Sequence, residues 1–163
     1  MIKTIDTIDS ELVLTEFNKL NNDIVWLDIP NKKQSGLQYR IGSEGIDIWL
    51  ESTGKNYCNE KSYSELNPLY KGTVFEEIIN KYKLIRTRFL WVGPNTCYSM
   101  HQDSSPRIHI PIITNRECYF VFKKGLIQHM PAGAAYWTDT RHFHTFMNCS
   151  SEPRLHLVGA VDN

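Results

Sequence analysis

No stretch of this sequence stays apolar for long. Runs such as Phe89 to Val92 fall far short of the roughly 20 residues a membrane span needs, so no membrane partner is expected. Charge of one sign is missing too. Eighteen Lys and Arg balance eighteen Asp and Glu, and the summed field gives no pull toward a phosphate backbone or an anionic lipid surface. No nucleic-acid partner is evident. Met1-Ile2-Lys3-Thr4-Ile5-Asp6 lacks the apolar core and small-residue cleavage site of a secretory leader, which makes a cytoplasmic location the expectation. Cysteine is sparse, and Cys58, Cys97, Cys118 and Cys149 are too scattered for a zinc knuckle or a redox dithiol. Free thiols are expected. The polar, aromatic-poor composition of disordered chains is absent: 41% of residues are apolar and 22% charged. An ordered chain of 163 residues fits one domain spanning 1–163.

What is present is evenly spaced punctuation. Ser10 to Leu20 opens on a cap-type residue and repeats apolar side chains at Val13, Phe17 and Leu20, which predicts a short amphipathic helix. Ile24 to Leu27, Leu37 to Ile41 and Ile46 to Leu50 are read as strands. A second helix is expected over Thr73 to Lys83, where Val74, Ile78 and Tyr82 share a face, then a strand over Arg86 to Val92. Beyond Gly93, short β-like runs are separated by Ser104-Ser105-Pro106, Lys123-Lys124-Gly125, Pro131-Ala132-Gly133 and Ser150 to Pro153. The fold class that follows is mainly β, a jelly roll with a few packing helices, chiefly in the N-terminal half. Residues 1–85 supply helices and strands that pack on the core, and residues 86–163 supply the chemistry.

All six histidines lie between positions 101 and 156. Histidine is the commonest metal ligand, so the cluster invites a site. In His101-Gln102-Asp103 an extended backbone turns the imidazole and the carboxylate to one face, because strand side chains alternate with period two. Asp139 to His144 offers two candidates for a third ligand, His142 and His144. Two histidines and a carboxylate on one side of a metal leave the opposite positions open for a co-substrate and dioxygen. In Arg154-Leu155-His156-Leu157-Val158 the leucines take one face and Arg154 and His156 the other. An inward arginine is costly to bury without an anion, and its planar fork matches a carboxylate. Arg107-Ile108-His109-Ile110-Pro111-Ile112 repeats the pattern, with Arg107 and His109 opposite the isoleucines. Tyr98, Tyr136, Trp137 and Phe146 are candidates to line a cavity.

Together His101-Gln102-Asp103, the Arg107-x-His109 strand, Gly133 with Asp139, His144 followed by Asn148, and Arg154 ten residues after His144 resemble the aspartyl/asparaginyl β-hydroxylase family of 2-oxoglutarate oxygenases. The resemblance spans roughly Arg88 to Val161. It implies a double-stranded β-helix, a cupin-like jelly roll, in which His101, Asp103 and His144 hold iron(II) and are catalytic. It also implies that Arg154 takes the distal carboxylate of 2-oxoglutarate while Arg107 and His109 lie near its keto-acid end. His144 is preferred to His142 because its spacing to Asn148 and Arg154 matches the family. Asp103 departs from the best-studied hydroxylases of the family, which lack a carboxylate there, and agrees with the wider superfamily. The serine that family members use beside the arginine has no equivalent around Arg88 to Trp91.

The implied activity is an iron(II)- and 2-oxoglutarate-dependent dioxygenase that uses dioxygen to hydroxylate an amino-acid side chain or a small carboxylate, releasing succinate and CO2. Its partner would be a small molecule or a peptide or protein substrate; oligomeric state is not legible. Two other readings share the barrel: a cupin-like metalloenzyme that does not use 2-oxoglutarate, with His129 as a further ligand, and a non-catalytic jelly-roll binding protein. The direction in which Arg154 points discriminates the first of these from the oxygenase.

Overall fold

The computed structural model describes residues 1–54 and 59–161. Elements run in the order β1 (Ile2–Thr7), α1 (Ser10–Leu20), β2 (Leu27–Ile29), β3 (Lys32–Gly36), β4 (Gln38–Tyr39), α2 (Asp47–Leu50), β5 (Glu65–Leu66), α3 (Val74–Tyr82), β6 (Leu84–Val92), β7 (Thr96–Cys97), β8 (Arg107–Ile113), β9 (Cys118–Phe122), β10 (Ile127–Gln128), β11 (Ala134–Thr138), β12 (His144–Asn148) and β13 (Arg154–Val161). Seven strands form a large sheet in the order β1-β11-β8-β13-β6-β3-β2, and four form a smaller one, β10-β9-β12-β7. Strand pairing in both is antiparallel, and the mainly β jelly roll is as expected.

Alternation along the strands decides where each core lies. Ile108, Ile110 and Ile112 of β8, Leu155 and Leu157 of β13 and Phe89 of β6 face one side of the large sheet. There they pack against Val13 and Phe17 of α1 and Phe75, Ile78 and Ile79 of α3. Fully burying an aliphatic or aromatic side chain is worth about 1.5–3 kcal/mol, so this outer layer anchors the fold. The opposite side of the same strands faces the small sheet. Val92 and Tyr136 meet Cys118, Phe120, Phe122 and Phe146 across that gap. Arg88, His109, Arg154 and His156 share that inner face with Leu90 and Val158.

The helices end as their sequences suggest, with one shift. Asp9, not Ser10, caps α1, its carboxylate accepting from Leu12 N at 3.0 Å. Thr73 caps α3, and Lys83 closes it in the left-handed region. The early strand assignments change more. Ile46 to Leu50 is a helical turn, because Gly42 and Gly45 at positive φ curl the chain and Asp47 N and Trp49 N then bond to carbonyls three residues back. Ile24 to Trp26 is not in a strand; pairing starts at Leu27, where β2 and β3 form a hairpin with Asn31 at φ 58°. Only Gln38 and Tyr39 of the Leu37 to Ile41 run are paired. Cys58 lies outside the described residues; Cys97, Cys118 and Cys149 are free thiols. No helix among the described residues is long and apolar enough to cross a membrane.

Candidate metal and anion site

His101 lies outside the named strands yet is paired with His144 at the start of β12: His101 N–H donates to His144 O at 2.9 Å, and His144 N–H to His101 O at 2.8 Å. This reciprocal pair brings the two rings to 4.4 Å between centroids. Asp103 is fixed by its own N–H donating to Thr140 O at 2.9 Å, while the Thr140 hydroxyl donates to Ser105 O at 2.8 Å. The Ser104-Ser105-Pro106 turn is thereby clamped, and Asp103 Oδ2 comes within 3.8 Å of His144 Nε2. Ligand atoms of His101, Asp103 and His144 all lie within 4.8 Å of one another.

The histidines are oriented for coordination. His101 Nδ1 is 2.7 Å from Ser99 O and His144 Nδ1 is 2.9 Å from His142 O. A carbonyl only accepts, so each Nδ1 carries the proton and each Nε2 offers its lone pair. Burial lowers the pKa of His144 and so favours its neutral, ligating form. One carboxylate oxygen and two imidazole nitrogens are a donor set that suits a divalent first-row metal and leaves positions free. His142 is exposed and pairs with Asp139, 3.6 Å away, and His129 Nδ1 is 3.0 Å from Cys118 O. Neither belongs to the triad.

Deeper between the sheets, β13 delivers Arg154 and His156, β8 delivers His109 and β6 delivers Arg88. Arg154 is 2% exposed, lies over the Phe146 ring and donates from Nη2 to His156 Nδ1 at 2.5 Å. Among the described residues it has no carboxylate partner, and its Nε has no hydrogen bond. Burial drives its pKa well below the usual value. The His156 Nε2, both ring nitrogens of His109, the Thr138 hydroxyl and the Tyr98 hydroxyl are also buried without hydrogen-bond partners among the described residues. Unmet donors around an uncompensated cation describe a receptor for a polar anion. Tyr136 and Phe146 line this region, as expected. Trp137 does not: it packs against the helix-facing core, with Lys3 over its ring.

Arg107 has a different environment. Its Nη2 is 2.5 Å from Glu60 Oε1 and 3.3 Å from Asp103 Oδ1, and its Nη1 reaches Ser105. Glu60 also accepts from Arg86 Nη1 at 3.0 Å and from the hydroxyls of Ser104 and Ser105 at 2.9 and 2.6 Å. Burial would raise the Glu60 pKa, but Arg107, the two serines and Arg86 outweigh it and hold the carboxyl at about 2. The knot ties Asp103 through Arg107 to a loop some forty residues upstream. Nothing in the sequence around Glu60 marks it. Arg88 was readable only as part of a strand, although Arg86-Thr87-Arg88 before Phe89 is unusual for one.

A sequence profile of the aspartyl/asparaginyl beta-hydroxylase family matches residues 15–163. The chain belongs to that family. No curated protein matches this family member in sequence. Among solved structures it resembles an oxidoreductase of the 2OG-Fe(II) oxygenase family from Burkholderia pseudomallei, at 14% identity and a TM-score of 0.57 over 90% of this chain and 76% of the other. It also resembles IDO from Bacillus thuringiensis, at 12% identity and a TM-score of 0.53 over 98% and 89% of the two chains. At such identities these two likenesses speak for the fold, whereas the profile speaks for the family, and a hydroxylase-type oxygenase is the class it indicates.

Proposed function

We propose that this hydroxylase-family protein is an iron(II)- and 2-oxoglutarate-dependent dioxygenase, hydroxylating an amino-acid side chain or a small carboxylate with succinate and CO2 as co-products. The observation that carries the reading is Arg154, a fully buried guanidinium without a counter-ion among the described residues, joined to the His-Asp-His set through successive contacts of His156, His109 and Phe120 with His144. Iron(II), when bound, would supply the activation of dioxygen and the oxidative decarboxylation of 2-oxoglutarate. His101, Asp103 and His144 would hold it, and Arg154 would take the distal carboxylate bidentately. His109 would meet the keto-acid end, with Arg107 acting there through Asp103. Phe120, Phe122 and Phe146 would give the chamber an apolar wall. A groove of about 620 Å³ is lined in part by Phe122 and by Gln102, His142 and Phe143, chain neighbours of the triad, and by none of the three triad residues.

A cupin-like metalloenzyme without 2-oxoglutarate would have no use for Arg154, and the inward position of that side chain weighs against this reading and against a bare scaffold. Anaerobic titration with iron(II) and 2-oxoglutarate tests the proposal. A weak visible charge-transfer band should appear in wild type, survive in His142→Ala and vanish in His144→Ala. Arg154→Lys keeps the charge but loses the fork, and should weaken 2-oxoglutarate binding about tenfold or more. Wild-type protein that binds iron(II) but not 2-oxoglutarate would give the cupin reading the advantage.

A further inference from the structure

Arg88 is the second buried arginine of the chamber that makes no ion pair among the described residues. It is 8% exposed, its Nε has no hydrogen-bond partner, and its one side-chain bond, from Nη1 to Gln34 Oε1, is long at 3.4 Å. That acceptor is shared, because Gln34 Oε1 also accepts from Gly54 N at 3.1 Å. The contrast with its neighbours is sharp. Arg86 and Arg107 are each matched to Glu60. Glu60 is fully engaged by those two guanidiniums and two serines.

Position separates Arg88 from Arg154. On the paired strands, Arg88 is opposite Val158 and Arg154 is opposite Val92, four residues further along β6. At about 3.3 Å per residue the two backbone positions are about 13 Å apart along the sheet. Arg88 feels the charges of Asp103, Arg107 and Glu60, which places it toward the metal end of the chamber; Arg154 feels Tyr98 and Cys118. His109 is level with Arg88 across β13, each of them opposite Val158, and His109 and Tyr98 feel the charge of both arginines. Burial among Arg86 and Arg107 pushes the Arg88 pKa down to about 9. A cation so placed destabilises the empty protein unless an anion arrives.

We propose that Arg88 is a second carboxylate-binding residue, which takes at the metal end of the chamber a carboxylate other than the one assigned to Arg154. The inference rests on the oxygenase reading for the identity of that other carboxylate, but not for the existence of the site. Two molecules can supply it: a prime substrate bearing a carboxylate, or 2-oxoglutarate through its own keto-acid end. The chemistry is the same in both, a planar anion on a planar fork of donors.

The experiment compares wild type, Arg88→Gln and Arg88→Lys loaded with manganese(II), which is redox-silent toward dioxygen here. The first probe is 2-oxoglutarate, by titration. The second is carboxyl-labelled ¹³C-acetate, whose nuclear relaxation reports proximity to the manganese, measured with and without 2-oxoglutarate. Thermal unfolding of the metal-free proteins controls for folding, and Arg88→Gln should melt no lower than wild type because it removes an uncompensated charge. A loss of 2-oxoglutarate affinity of about tenfold in Arg88→Gln assigns the carboxylate to the co-substrate. Unchanged 2-oxoglutarate affinity with loss of the acetate effect assigns it to a prime substrate. Should Arg88→Gln fail to fold, Arg88→Lys must show the same losses at about threefold or more, since it lacks the fork. Wild-type values for both probes in the folded variants overturn the proposal. Wild type that binds no 2-oxoglutarate fails the oxygenase reading alone, because the acetate difference between wild type and variant is read independently of it.

Discussion

Both carboxylate oxygens of Glu60 are committed, Oε1 to Arg86 and Arg107 and Oε2 to Ser104, Ser105 and Arg107. Removing that charge leaves two buried guanidiniums facing each other, and breaking a buried pair costs about 3–5 kcal/mol. Arg107 would then turn wholly to Asp103, 3.3 Å away, and compete with a metal for its carboxylate. Glu60→Gln is therefore expected to lower both stability and divalent-metal affinity, and Glu60→Gln/Arg107→Gln to regain part of the metal affinity. Urea unfolding and manganese(II) titration read the two effects separately. Restored stability without restored metal binding would show that Arg107 does not govern Asp103. The pH dependence has a definite sign. The folded carboxyl is held at about 2 against an ordinary 4.5, so its stabilising contribution is complete above pH 4.5 and is lost as pH falls toward 2.

At the scale of elements, β13 does most to build the site, since it pairs with both β6 and β8 and sends Leu155 and Leu157 to the helices and Arg154 and His156 to the chamber. Its register against β6 shifts between Val158 and Ala160, opposite Arg86, which sits at φ 50°. The bulge turns Arg86 toward Glu60. Gly159 stands at this shift, and a Cβ there would come within 2.7 Å of Leu84 Cδ1, 2.9 Å of Leu84 Cβ and 2.9 Å of Thr87 Oγ1. Leu84 Cβ cannot rotate away. Gly159→Ala should thus destabilise the protein by about 1–3 kcal/mol in urea unfolding, the usual range for overpacking. Loss below about 0.5 kcal/mol would mean that β6 yields at the bulge.

Across the whole molecule, apolar packing is concentrated outside the large sheet and polar groups are concentrated between the sheets, so the chamber is stabilised by its surroundings more than by its own contents. His109 and His156 are both buried, and burial together with Arg154 holds each pKa well below 6.5. As pH falls through 6.5 the unfolded chain binds a proton at each imidazole while the folded chain does not. Stability from these groups is therefore complete above pH 6.5 and declines below it, by up to about 1.4 kcal/mol per pH unit for each histidine. Urea unfolding of the metal-free protein at pH 7.5, 6.5 and 5.5 should show proton uptake at the acid end, to which His109 and His156 contribute nearly two protons and His144 adds. An uptake near zero would mean that the chamber admits water and charges its histidines while folded.

Strand alternation by itself determined which side chains share a face: Arg107 with His109 against Ile108, Ile110 and Ile112, and Arg154 with His156 against Leu155 and Leu157. It did so because period two is a property of the extended backbone alone, and the family motifs added the spacing between His144, Asn148 and Arg154. Parity could not choose between His142 and His144, which differ by two residues. The backbone pairing of His144 with His101 brings that histidine to Asp103, and no local rule encodes a contact across forty residues. Nor could it carry register through Ser104-Ser105-Pro106, where the clamp on Thr140 keeps Asp103 inward. Ile46 to Leu50 carried too short an apolar run to tell a strand from a helical turn, and the turn set by Gly42 and Gly45 decided it. Glu60 and Arg88 were invisible for a deeper reason. Whether a buried charge is compensated depends on what the fold brings beside it, and only the tertiary structure places a carboxylate against Arg86 and Arg107 while leaving Arg88 and Arg154 without one among the described residues.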